Sequence, residues 1–109
     1  ERLVDESQTT LDGQIQALAE RYMGINCACF TPNTARIDDI LRLVDEYHAD
    51  GVIDVNLKFC SLYDTEGYSV ERALREKGIP VLGLETDYTD TDAGQLRTRI
   101  GAFLELLEK

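Results

Sequence analysis

A chain of 109 residues with 43% hydrophobic residues, no Trp and only 2 Pro has room for one globular domain, is too short for two, and lacks the composition of a disordered segment. Its formal net charge of −10, from 21 acidic against 11 basic residues, repels phosphate backbones and anionic lipids, which argues against nucleic acid or a membrane surface as a direct partner. No apolar run approaches the ~20 residues of a membrane span, and an odd set of three cysteines without a signal peptide points to reduced thiols in a cytoplasmic protein.

The chain starts at Glu1 and not at Met, which reads as part of a longer or trimmed protein. The first helix is predicted over Leu11–Met23, with Ile15, Leu18, Ala19 and Tyr22 on one face and Gly24 ending it as a C′ glycine. Ile25 to Phe30 is a short apolar run, strand-like or loop-like. Thr31-Pro32 then suits an N-cap with Pro at the first helical position. In the helix that follows, Ile37, Ile40, Leu41, Val44 and Tyr47 fall at helical spacing. Arg36, Asp38, Asp39, Arg42, Asp45 and Glu46 form the polar face, and the helix ends at His48 to Asp50. Val52 to Leu57 is a β-branched strand. A helix from about Glu66 to Lys77, with Val70, Ala73 and Leu74 inward, stops at Gly78, and Val81 to Leu84 is a second buried strand. A last helix, capped by Asp90 or Thr91 and opened by Asp92 and Ala93, carries Leu96, Ile100, Phe103, Leu104 and Leu107 on one face. Strands alternating with helices of this length predict an α/β fold with a small open parallel sheet and flanking helices, as one domain over residues 1–109.

In such a sheet, ligands bind beyond the carboxyl ends of the strands. Asn56 to Ser61, Glu85 to Asp90 and, if Ile25 to Phe30 is a strand, Cys27 to Asn33 lie just past such ends. All three run into helix N-termini, which favour anions and thiolates. Cys60 there could ligate metal or attack a substrate; a loop cysteine without a role is the plainer alternative on pattern alone. Cys27 and Cys29 alternate, so in an extended segment they point opposite ways and at most one faces Cys60. A Cys₃His zinc site would need His48, which sits at the far end of a helix. Asp90 and Asp92 suit helix capping, whereas Glu85 and Asp87 are open to acid/base work or a hard cation. Gln95, Arg97 and Arg99 open the last helix and could hold a cofactor phosphate or form solvated salt bridges. Neither a Walker A motif nor a dinucleotide fingerprint is present.

From about residue 24 onward the chain resembles the 2-hydroxyacyl-CoA dehydratase and benzoyl-CoA reductase family, in its D-component-like subunits. The resemblance is carried by Cys29-Phe30-Thr31-Pro32-Asn33 with Arg36, by Gly51-Val52-Ile53 with Leu57-Lys58-Phe59-Cys60, and by Gly78-Ile79-Pro80-Val81-Leu82. It continues through Glu85-Thr86-Asp87-Tyr88, Gly94 to Ile100 and Ala102-Phe103, in that order. It implies Rossmann-like or flavodoxin-like βα units forming the carboxyl-terminal domain of a longer subunit. It further implies an oxygen-sensitive [4Fe–4S] cluster held by cysteines from more than one domain, a related second subunit, an ATP-dependent activator protein, and an acyl-CoA substrate. On it, Cys60 becomes the expected cluster ligand, with Cys29 and Cys27 as weaker candidates, and Glu85, Gln95, Arg97 and Arg99 as candidates for binding substrate or cofactor. The implied reaction is removal of water from (R)-2-hydroxyacyl-CoA by a ketyl-radical route, giving the 2-enoyl-CoA; the same family also reduces aromatic acyl-CoA rings. The chain is much shorter than a family subunit, so alone it is expected to bind no stable cluster and to catalyse nothing. An α/β interaction module with structural cysteines is the alternative of another class.

Overall fold

A computed structural model describes residues 3–108. Helices α1 (Leu11–Met23) and α2 (Thr34–Glu46) precede strand β1 (Val52–Leu57), helix α3 (Ser61–Glu76) and strand β2 (Val81–Thr86). A 3₁₀ turn (Asp90–Asp92) then leads into helix α4 (Ala93–Leu107). The strands pair in parallel with Val52 opposite Val81 and Leu57 opposite Thr86, so the expected α/β architecture with a small open parallel sheet is present. Ile25 to Phe30 forms turns and adds no strand; the loop alternative is the observed one.

Helix α3 is the element that holds the sheet. Val70 and Leu74 are each only 1% exposed, and Gly67 is buried against β1. A Cβ on Gly67 would sit 3.0 Å from Asn56 Nδ2 and 3.3 Å from Asp54 Oδ2, so the missing side chain lets helix and strand approach closely. The sequence-based start at Glu66 is therefore corrected to Ser61. Gly67 lies in the helix interior, and Tyr63, Gly67, Val70 and Leu74 form one continuous stripe. Gly78, at φ 73°, ends α3 in a Schellman motif: Ile79 N–H donates to Leu74 O and Gly78 N–H to Arg75 O.

The end of α2 repeats this motif without a glycine. His48 N–H donates to Asp45 O, Ala49 N–H to Val44 O, and His48 takes φ 50°. A left-handed conformation costs a residue with a Cβ about 1–2 kcal/mol, which glycine avoids at some loss of unfolded-state entropy. His48→Gly is expected to raise stability by about 0.5–1 kcal/mol in a urea melt; an unchanged or lower midpoint would contradict the strain.

Three local expectations are corrected. Helix α2 is capped at Asn33 and not at Thr31, because Asn33 Nδ2 is drawn to Asn26 O and Cys27 O (3.3 and 3.1 Å), pinning this segment to the preceding turn. Gly24 ends α1 at φ −74°, in right-handed geometry. In α1 the face of Ile15, Leu18 and Tyr22 is exposed and Ala17 alone is buried, since no described element covers that face. The molecule is correspondingly extended. Its radius of gyration is 17.3 Å, against about 13 Å for a compact domain of this length. Its accessible surface of 8411 Å² compares with about 6,100 Å² for a compact monomer of this mass.

Candidate functional site

The carboxyl ends of β1 and β2 are tied together by one lysine. Lys58 N–H extends the ladder to Thr86 O, and its ammonium pairs with Asp87 (3.3 Å) and with Asp92 at the start of α4. Asp92 stands at the N-cap position of α4 yet makes no side-chain capping bond, because its carboxylate is engaged by Lys58; Asp90 makes no side-chain cap either. This corrects the capping expectation for both. The Asp92 carboxylate, and then Asp87, hold the Lys58 ammonium more tightly protonated than an ordinary lysine.

Asp87 Oδ1 accepts from the Thr89 hydroxyl (2.6 Å) and the Thr89 N–H (2.8 Å), and these bonds hold its carboxyl below the usual carboxylate range. A depressed carboxyl contributes stability above its unfolded value, near about 3.9, and loses it as pH falls through the folded value. Thr89→Val, which deletes the hydroxyl donor, is expected to move the Asp87 titration upward in an NMR carboxyl titration. No movement would show that the bond does not govern this group.

Two residues beyond β1, Phe59 takes φ 66° and is 98% exposed, a left-handed bulky residue turned wholly to solvent. Cys60 follows as the N-cap residue of α3, half-buried and unpaired, with its backbone carbonyl accepting from Asp64 N–H. The sequence places Cys60 a few residues ahead of a helix; the structure places it at the helix N-terminus itself.

Cys27 and Cys29 do not diverge. Phe30 N–H donates to Cys27 O in a tight turn, which sets the two thiols against each other. The Cys29 N–H, the Cys29 thiol and the Tyr63 hydroxyl all donate to Cys27 sulfur and pull its thiol below the usual range; the same contact raises Cys29. All three cysteines are free thiols. Among the described residues, no three or more His, Cys, Asp or Glu side chains are grouped to hold a metal ion. Cys60 and Cys27 are half-buried and Cys29 is exposed, and the three are not grouped as a three-ligand set.

Glu85 and Arg99 share a groove of about 340 Å³ with Asn56, Asp64, Gly67 and Glu71. Arg99 Nη2 donates to Gly83 O (2.7 Å), so this arginine is spent in part on the outer edge of β2. Gln95 and Arg97 are exposed on α4, outside that groove.

Composition and periodicity missed the Arg36 network. Placed by helical spacing on the polar face of α2, Arg36 instead turns inward. It pairs with Asp54 on β1 (3.7 Å) and Glu66 on α3 (3.2 Å) and stacks 4.6 Å above the Tyr63 ring. The available signal was Asp54, a carboxylate between Ile53 and Val55 in a β-branched strand, which needs a cation once buried.

Residues 1–107 match the family described as 2-hydroxyglutaryl-CoA dehydratase, D-component. The chain belongs to this family. It is 44% identical over 92 residues to an Escherichia coli (strain K12) protein named "Putative dehydratase subunit YjiM", covering 84% of this chain and 24% of that protein. It is 32% identical over 106 residues to the (R)-phenyllactyl-CoA dehydratase beta subunit of Clostridium sporogenes, covering 96% and 27%. It is 30% identical over 102 residues to the (R)-2-hydroxyglutaryl-CoA dehydratase subunit beta of Acidaminococcus fermentans, covering 89% and 27%. The chain therefore spans about a quarter of the length of these curated relatives. Among the described residues, no helix of this D-component family member is long and apolar enough to cross a membrane.

Proposed function

We propose that this chain is the carboxyl-terminal domain of a cytoplasmic 2-hydroxyacyl-CoA dehydratase subunit, which removes water from (R)-2-hydroxyacyl-CoA to give the 2-enoyl-CoA. The observation that carries the reading is family membership over residues 1–107 together with the position of Cys60, an available thiol at the N-terminus of α3 just beyond β1. Two of the relatives named above are (R)-2-hydroxyacyl-CoA dehydratase subunits, which puts dehydration ahead of aromatic-ring reduction.

The donor chemistry fits an iron–sulfur cluster only in part. Cys60 is a suitable thiolate, and the described residues add no further grouped ligands. Cys60 would supply one ligand of a [4Fe–4S] cluster and the rest of the enzyme the others. When bound, such a cluster supplies one-electron transfer to the acyl-CoA in the ketyl-radical route. The chain's own residues hold the thiolate in place: Lys58 locks the end of β1 to β2 and α4, and the turn at Phe59 delivers Cys60 to the helix. The partners in this reading are a related second dehydratase subunit and an ATP-dependent activator protein. The 109-residue chain alone is inactive.

The test is an anaerobic assay of the full-length subunit with its related partner, activator and ATP. It is offered (R)-2-hydroxyacyl-CoA thioesters in one series and an aromatic acyl-CoA in another. Formation of 2-enoyl-CoA in the first series alone supports dehydration. Turnover confined to the aromatic series identifies a reductase, and no turnover in either overturns the enzyme reading.

A further inference from the structure

The free edge of β1 carries an inference of its own. Val52 N–H donates to Pro80 O (2.9 Å) and Lys58 N–H to Thr86 O (2.7 Å). In a parallel ladder the amides facing one neighbour are every second residue, so Asp54 and Asn56 face β2 as well. The amides of Ile53, Val55 and Leu57 therefore point outward, and no described residue accepts from them. Their side chains stand on the sheet face opposite α3, 40%, 57% and 41% exposed. The same three residues thus present both unpaired backbone and an apolar row.

Apart from the inward-pointing Asp54, which Arg36 holds, nothing blunts this edge. Val52-Ile53-Asp54-Val55-Asn56-Leu57 contains no Pro, no Lys and no glycine to seat a bulge. The outer edge of β2 is different: Arg99 caps Gly83 O there, and Leu84 on the same face as Val55 is buried. Parallel sheets are found with both faces covered, which a sheet whose β1 half is open on the face away from α3 does not satisfy.

We propose that β1 is an interior strand, and that its outer edge is filled by a further β-strand from polypeptide of the same subunit outside these 109 residues. That strand carries apolar, β-branched residues beside Ile53, Val55 and Leu57. Two facts select this occupant. The relatives matched are about four times as long as this chain, so they contain ample further sequence. The accessible surface exceeds that of a compact monomer by about 2,300 Å², far more than the ~800 Å² per partner of an ordinary interface. A second copy of this chain is the weaker occupant, because two surfaces of net charge −10 repel across an edge-to-edge contact.

The test is residue-resolved hydrogen exchange along Val52–Leu57 in the full-length subunit, which needs no substitution. An interior strand protects Ile53 and Val55 as strongly as Asp54 and Asn56. A free edge leaves the odd-numbered amides exchanging at least about a hundredfold faster than their neighbours. Uniform protection is expected in the full-length subunit. Persistent alternation there overturns the proposal. So does uniform protection that disappears on dilution as a dimer seen by sedimentation dissociates, since the occupant is then a second copy. The measurement stands apart from the dehydratase reading, because strand pairing is read without cluster or substrate.

Discussion

Arg36→Met is expected to destabilise the chain by about 3 kcal/mol, the size seen when one partner of a buried ion pair is removed. For a domain of this length that lowers the melting temperature by roughly 10–20 °C. The arginine side chain is 19% exposed and lies between Asp54 and Glu66, whose side chains are 10% and 13% exposed. Methionine fills a similar volume but leaves two largely buried carboxylates with no cation, and Glu66 Oε2 already lacks any geometrically sound hydrogen bond. The network joins α2 to β1 and α3 where few apolar contacts do so, since α2 has no fully buried residue. Arg36→Lys should rescue little, because an ammonium cannot span both carboxylates and stack on Tyr63 at once. Thermal melts of the two variants decide this. A shift under about 2 °C for Arg36→Met would mean that Asp54 and Glu66 are solvated well enough to stand alone.

Cys60→Ser, in the full-length subunit with its partner, is expected to lower dehydratase activity by more than about a hundredfold. Even partners that merely orient a metal ligand cost 10–100-fold when changed, and Cys60 is assigned as a ligand itself. Serine keeps the size of the residue and is itself a preferred N-cap, so the fold should be retained. Cys27→Ser and Cys29→Ser serve as matched controls. These two thiols contact each other, Cys27 also meets Tyr63, and they form no three-ligand set with Cys60, so each should leave activity within a few-fold of the parent. Equal losses in all three variants would mean that the turn at Cys27 reaches the cluster after all. No loss in Cys60→Ser would remove the cluster assignment and leave an α/β module with structural cysteines.

Much of the scaffold was legible because it is encoded locally. The β-branched run Val52 to Leu57, the stop at Gly78 and the helical spacing of Val70 and Leu74 each correspond to one short-range rule. What was not legible depends on contacts distant in sequence. The first turn of α3, from Ser61, was missed, and the close approach at Gly67 shows only once Asn56 and Asp54 are placed beneath it. Arg36 reads as a surface charge until Asp54 is known to be buried beside it. The apolar face of α1 predicted a partner that the described residues do not contain, so Ile15 and Tyr22 stay exposed. At the candidate site, Cys60 and its place past β1 followed from strand-end logic. The pairing of Cys27 with Cys29 did not, because it arises from a turn where an extended segment was one of the readings. Lys58 lay inside the recognised motif, but its role in tying Asp87 to Asp92 needed the fold.

In the proposed function this chain donates Cys60 to a site completed by the rest of the enzyme. Anaerobic reconstitution of the purified 109-residue chain with iron and sulfide, followed by gel filtration and iron and sulfide analysis, tests it most directly. No stable cluster is expected to remain with the chain. A [4Fe–4S] cluster retained through gel filtration, lost in Cys60→Ser and in Cys27→Ser alike, would contradict it, since the ligands would then all lie within these residues.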